Sequence, residues 1–241
     1  MKLRYYQRDA IDSLHHWFAT RPAEDHALIA LPTAAGKTII FSHFIKEVLA
    51  KDPNARFLVM AHRKELVEQA ETKLKMVWPD APVGVLASSH TRYKKIITTL
   101  SDRRPMKVMG CTATPYRMGQ GYIYGNRKDH FFKGLSYSVS IPDLIRSGFL
   151  CRLSAYAVSE DAIIDAGSVS LKFKNGDFKE RELEKIAMVD TTIIEVVNDW
   201  IDNAYTKGRT ATVFFCVSVL HAEKMTQCLK TYGIEAECVT G

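Results

Sequence analysis

No stretch of this 241-residue chain approaches 18 consecutive apolar positions, so the sequence offers no membrane-spanning helix. The opening Met1-Lys2-Leu3-Arg4-Tyr5 is not followed by a signal-peptide core. Cysteine is sparse: Cys111, Cys151, Cys216, Cys228 and Cys238 are scattered, form no CxxC pair and leave one over. That usage argues against a zinc site and a disulfide framework, and it points to a reducing cytoplasm. Acid falls short of base, 27 Asp and Glu against 33 Lys and Arg. The resulting net charge of +6 favours a polyanionic partner. Basic residues gather at His62-Arg63-Lys64, Arg92-Tyr93-Lys94-Lys95, Arg103-Arg104 and Arg127-Lys128. The rest, 46% hydrophobic and 25% charged, suits a globular chain with core enough for one large or two small domains.

What is present begins with Ala27-Leu-Ile-Ala-Leu-Pro-Thr-Ala-Ala-Gly-Lys-Thr38, a buried-strand pattern running into a small-residue loop and then a helix. The helix is expected to turn Phe41, Phe44, Ile45, Val48 and Leu49 to the core. Strand, loop and helix in that order make a phosphate cradle. Backbone N–H groups at the helix start are unpaired, and the helix dipole adds positive charge there. The strict G-x-x-x-x-G-K-[ST] pattern wants Gly where Leu31 stands, so only the looser form fits. In this reading Pro32, Thr33, Ala34, Ala35, Gly36, Lys37 and Thr38 cradle a nucleotide. Lys37 reaches its β/γ-phosphates and the Thr38 hydroxyl holds Mg²⁺.

Apolar periodicity places a helix at Leu3–Phe18, with Ile11, Leu14 and Phe18 inward. A second buried strand is expected at Phe57–Ala61, followed by a helix with Leu66, Val67, Ala70 and Leu74 on its core face. Another strand falls at Lys107–Thr114. Alternating strands and helices imply a parallel α/β sheet. From about Leu135 the character changes: a strand at Tyr137–Val139, a short helix opened by Ser140 and Pro142 and closed by Gly148, and strand candidates at Arg152–Val158 and Ser168–Phe173. A charged helix over Phe178–Met188 leads to a fresh α/β unit. Its helix Thr191–Ala204 turns Ile194, Val197, Ile201 and Ala204 inward; a strand Thr210–Cys216, a helix Val219–Lys230 and a strand near Glu237–Thr240 follow. Two strands have too little core to stand alone, so this unit reads as the opening of a second domain.

Five blocks in this order resemble the superfamily-2 helicases and translocases, nearest the RadD-type DNA repair ATPases, with XPB-like and restriction-subunit translocases as relatives. Leu3-Arg-Tyr-Tyr-Gln-Arg8 is similar to the adenine-reading Q-type motif, and Leu31–Thr38 to motif I. Met60-Ala-His-Arg-Lys-Glu-Leu-Val-Glu-Gln69 resembles motif Ia, Gly110-Cys-Thr-Ala-Thr-Pro-Tyr-Arg117 motif III, and Phe214–Ser218 with His221-Ala222 the motif IV region. The resemblance implies ATP with Mg²⁺ as cofactors and Arg4 and Gln7 at the base. It implies His62, Arg63, Thr114 and Arg117 on single- or double-stranded DNA, and Thr112, Ala113 and Thr114 as the coupling segment. The implied protein is a monomer that engages no membrane and meets other repair proteins. Its fold is a RecA-like ATP-binding domain at 1–134, an inter-domain bridge at 135–190, and the start of a second RecA-like domain at 191–241.

One departure bears on catalysis. The family carries an Asp-Glu box at the end of an apolar strand between motifs Ia and III. Between Thr38 and Thr112 the carboxylates are Glu47, Asp52, Glu65, Glu68, Glu71, Asp80 and Asp102, and no two of them are adjacent. The text changes abruptly at Ser88-Ser89-His90, where several dozen family residues are expected to be missing. Two other readings stay open: an ATP- and DNA-binding remnant that does not turn over, and a small-molecule P-loop kinase.

Overall fold

A computed structural model describes residues 2–61, 63–85, 93–117, 119, 121–128, 130–153, 173–174, 177–178, 180–209 and 211–240. The chain divides into two compact units, Met1–Arg152 and Leu153–Gly241. Among the described residues no helix is long and apolar enough to cross a membrane.

The first unit is organised by β1, His26–Ala30, whose five residues are all buried. It lies between two parallel neighbours, β2 (Met109–Thr112) and β5 (Phe132–Ser138). The sheet packs closely because two glycines face large rings. A Cβ on Gly110 would stand 2.4 Å from Phe132 Cζ, and one on Gly134 would stand 2.7 Å from Trp17 Cη2. Helix α1 (Tyr5–Thr20) buries Tyr6, Ala10, Ile11, Leu14 and Trp17 against β5 and against α2 (Lys37–Lys51). A polar clamp joins these two helices: Arg8 Nη1 and His15 Nε2 lie 2.6 and 2.9 Å from the Glu47 carboxylate. The Arg8 guanidinium, and His15 after it, hold that carboxyl below its ordinary range. Short elements complete the unit: α3 (Lys64–Val77), α4 (Tyr93–Ser101), a hairpin of β3 (Tyr116–Arg117) and β4 (Gly121–Tyr122), and α5 (Ile141–Arg146). Ser140 caps α5 by accepting from the Asp143 N–H at 3.2 Å. This is a mixed α/β fold with a parallel sheet flanked by helices, as expected of a RecA-like domain.

Several expectations change in detail. The core face of α2 is Ile39, Ile40, Phe44 and Ile45, with Phe41 only half-buried. The first unit runs past 134: β5 continues to Ser138 as the third strand of the sheet, and the unit closes at Arg152. Residues 57–61 form no strand, and Phe57, Leu58 and Val59 are 41%, 54% and 42% exposed. A strand exists only where a neighbour takes its backbone bonds. Among the described residues nothing pairs with the outer edge of β2, where further strands would stand. Helix α3 still packs on α2, but through Leu74 and Val77, leaving Leu66 exposed.

The second unit contains α6 (Glu180–Ala187), α7 (Asp190–Asn203), a 3-10 turn (Tyr205–Lys207) and α8 (Val219–Thr231). A two-stranded ladder, β6 (Phe173–Lys174) with β7 (Asp177–Phe178), brackets the Asn175-Gly176 turn signal. Its core is Ile193, Val197, Met225 and Leu229, with Trp200 and Phe214 against it. Ile193, not Ile194, faces inward; Ile194 is exposed. The strands expected at 210–216 and 237–240 do not form among the described residues, and Phe215 and Val239 are 96% and 90% exposed. The strand candidate at 168–173 lies outside the described residues apart from Phe173, and that at 152–158 apart from Arg152 and Leu153.

Candidate nucleotide-binding site

The chain leaves β1 at its C-terminal end and turns through 32–36 into α2. Two left-handed residues make the turn. Gly36, the N-cap of α2, has φ +80°, and Ala34 has φ +66°, the one non-glycine residue with positive φ among those described. A side chain at Gly36 is blocked as well, since its Cβ would meet Gln7 Nε2 at 2.6 Å. The loop is thus a bare stretch of backbone lying over the free N–H groups that begin α2.

The start of α1 holds this loop from behind. Tyr6 Oη and Gln7 Nε2 both donate to the Ala35 carbonyl, at 3.0 and 3.1 Å. Gln7 Oε1 accepts the Arg4 N–H at 3.0 Å, so both ends of this buried amide are engaged. Beyond these bonds the amide keeps one hydrogen and one lone pair. Arg4 donates to Tyr6 Oη at 3.0 Å and lies over the Phe149 ring, 4.9 Å from its centroid. Phe149 meets the Tyr6 ring edge-on at 5.3 Å. Sequence reasoning missed Phe149; its signal is an aromatic placed directly after the helix-ending Gly148.

Lys37 bends back onto the loop and donates to the carbonyls of Leu31 and Pro32, at 3.0 and 2.9 Å. Its burial lowers the ammonium's pKa, because desolvation penalises the charge. An arriving anion restores what burial removes. Thr38 begins the first turn beside it and is half-buried. The far wall is the end of β2. Thr112 pairs with Ala30, and its carbonyl accepts the Leu31 N–H at 3.0 Å. The Thr112 hydroxyl donates to the Thr114 carbonyl and accepts the Thr114 N–H, both at 3.0 Å, which locks 112–114 as a turn. Ala113 and Thr114 are exposed on that turn.

Of the residues assigned to nucleic acid, Arg63 is exposed at the N-cap of α3 and Arg117 is exposed on β3. Thr114 is two residues from Tyr116, where β3 begins. His62 lies outside the described residues.

The loop, the free N–H groups and Lys37 fit a polyphosphate. For Mg²⁺ the donor set is thinner. Thr38 offers a hydroxyl, yet Glu47 is engaged by Arg8 and His15, and the described residues hold no group of three His, Cys, Asp or Glu placed for a metal.

Residues 1–87 match the ResIII family, described as type III restriction enzyme, res subunit. A protein of Schizosaccharomyces pombe named as a mitochondrial ATP-dependent helicase, irc3, is 23% identical over 290 residues, covering 100% of this chain and 45% of the relative. The Saccharomyces cerevisiae protein named as ATP-dependent helicase IRC3 is 35% identical over 88 residues, 34% of this chain and 12% of the relative. A 51.5 kDa protein of a Lactococcus phage (isolate 7-9) is 24% identical over 234 residues, 87% of this chain and 48% of that protein. The chain spans less than half the length of each of these relatives.

Proposed function

We propose that this chain, a superfamily-2 helicase of the DEAD/DEAH type, binds ATP at 32–38 and nucleic acid across Arg63, Thr114 and Arg117, as part of an ATP-driven DNA translocase acting in repair in the cytoplasm. One observation carries the nucleotide reading. Lys37 sits folded onto two loop carbonyls beneath a bare left-handed turn, one strand away from Thr112. When triphosphate enters, Lys37 exchanges those carbonyls for phosphate oxygens, and the N–H groups of the α2 start take the rest. Thr38 would hold Mg²⁺, which supplies charge neutralisation at the phosphates. Gln7 and Arg4 face the base through the amide and guanidinium that also brace the loop. Thr112 pairs with the strand feeding the phosphate loop, so movement there passes to the turn bearing Thr114 and then to Arg117.

Turnover needs a carboxylate as general base toward the attacking water, and between Thr38 and Thr112 the sequence holds no Asp-Glu pair to supply it. The ResIII match ends at residue 87, one residue before the Ser88-Ser89-His90 junction. The alignment to the fission yeast protein extends over 290 residues while using all of this 241-residue chain. Both facts, with the unpaired edge of β2 and the bare apolar run at 57–59, support the reading that an acid-bearing strand of the family is missing here. Losing a general base alone costs roughly 10²–10⁴ in rate. The chain therefore grips ATP and DNA with little hydrolysis by itself, which favours the binding-remnant reading for this polypeptide. A P-loop kinase would share Gly36–Thr38 but leaves the Thr112–Arg117 segment without a role.

Phosphate release from ATP by the 241-residue chain, with and without DNA and beside Lys37→Ala, tests this. The expected result is turnover no faster than that of Lys37→Ala. Lys37-dependent, DNA-stimulated release would mean that a carboxylate able to act as general base is present in this chain.

A further inference from the structure

The segment after the Thr112–Thr114 turn is a two-stranded hairpin, and its residues are unusual for an exposed surface. Tyr116 and Tyr122 are cross-strand partners, 51% and 62% exposed. Tyr124 follows two residues on, with its ring 5.3 Å from that of Tyr122. Directly opposed positions share one face of a β-ribbon, so Tyr116 and Tyr122 form an exposed aromatic pair, and half-buried Tyr124, bridged to Phe132 beyond the end of β4, backs the Tyr122 ring. Arg117 stands opposite Gly121, where no side chain crowds it. Among the described residues its one hydrogen bond is to the neighbouring Tyr116 carbonyl, at 3.4 Å, and it has no carboxylate partner. From Tyr116 to Lys128 the sequence carries Arg117, Arg127 and Lys128 and no acid.

An isolated two-stranded hairpin is marginal in water. This one is tied down at its base, where the Ile123 N–H donates to the Pro115 carbonyl and the Gly125 N–H to the Phe132 carbonyl, each at 3.0 Å. It is therefore anchored at its base to β5 and presents Tyr116 and Tyr122 outward. Core packing does not require the Tyr116 and Tyr122 rings, and the charge of the segment favours an anionic partner.

We infer that the 116–122 hairpin is a stacking platform for single-stranded nucleic acid, with bases on Tyr116 and Tyr122, backed by Tyr124, and phosphates drawn by Arg117, Arg127 and Lys128. Exposed aromatic rings interleaved with arginine suit unpaired bases, whose faces are open, whereas duplex bases are already stacked. The inference rests on the nucleic-acid reading of this chain and adds the ligand's form and the residues that hold it.

The test compares binding of a fluorescent oligo(dT) 20-mer and an abasic 20-mer with the same phosphates, by anisotropy at low salt. The wild-type chain is expected to hold oligo(dT) about tenfold or more tightly than the abasic strand. Tyr116→Ala/Tyr122→Ala removes that difference, and Tyr116→Phe/Tyr122→Phe keeps it. Tyr116→Leu/Tyr122→Leu, which keeps apolar bulk on the strands, loses the difference while retaining the abasic affinity. Equal binding of the two strands by wild type, or a preference that survives the Leu pair, overturns the platform alone. No binding of either strand by wild type overturns the nucleic-acid reading and the platform with it.

Discussion

Ala34→Gly is expected to stabilise the first unit, an unusual direction for a substitution beside a ligand loop. Ala34 sits at φ +66°, where an L-residue costs about 1–2 kcal/mol. Glycine escapes that cost but gains unfolded-state freedom worth about 0.4–1 kcal/mol. The difference leaves a net stabilisation of about 0.5–1 kcal/mol. With a urea dependence of about 2 kcal/mol per molar, the midpoint rises by about 0.25–0.5 M. Tryptophan emission reads it: Trp17 and Trp78 lie in the first unit and Trp200 in the second, so a Trp200→Phe background isolates the transition. Gly36→Ala is the opposing control. It forces a Cβ to 2.6 Å from Gln7 Nε2 at φ +80°, and is expected to cost about 1–3 kcal/mol. A lowered midpoint in Ala34→Gly, or a neutral Gly36→Ala, would show that the loop does not hold these left-handed angles in solution.

Gly110→Ala is expected to destabilise the first unit by about 1–3 kcal/mol in the same assay, because the added Cβ meets the Phe132 ring at 2.4 Å and Leu28 Cδ1 at 2.7 Å. Tyr6→Phe removes the donor to the Ala35 carbonyl and is expected to cost about 1 kcal/mol in the same assay. The Glu47 carboxyl is held low, chiefly by Arg8, so its contribution is present above its ordinary value of 4.5 and is lost as pH falls below it. Both partners are about a third exposed, so the pair is worth about 1 kcal/mol. Glu47→Gln should therefore lower the urea midpoint at pH 7 and lower it progressively less as pH falls below 4.5; a loss that does not shrink with pH would contradict the assigned cause.

The parts of this molecule legible in its sequence are those whose partners are close in the chain. The Gly36-Lys37-Thr38 turn, the Ser140 cap and the short β6–β7 ladder are each specified by a few neighbouring residues, and so are the helices apart from small rotations of face. Ile193 replaces Ile194, and Ile40 joins Phe44, because a 3.6-residue period leaves adjacent positions nearly equivalent until tertiary packing chooses. Strands were a different matter. Phe57–Ala61 and Thr210–Cys216 carry strand-like residues, but pairing is a property of two segments, and the described residues supply no second segment. The hairpin at 116–122 is not legible in the sequence because each strand is two residues long, too short for alternation to register.

Equilibrium titration of ATP into the 241-residue chain, with Lys37→Ala alongside, tests the central claim most directly. The account predicts saturable binding to wild type and a loss of at least about 100-fold in Lys37→Ala, since a half-buried ammonium is removed from the phosphates. Equal affinity in the two proteins, or no binding to either, would contradict the assignment of 32–38 as a phosphate cradle.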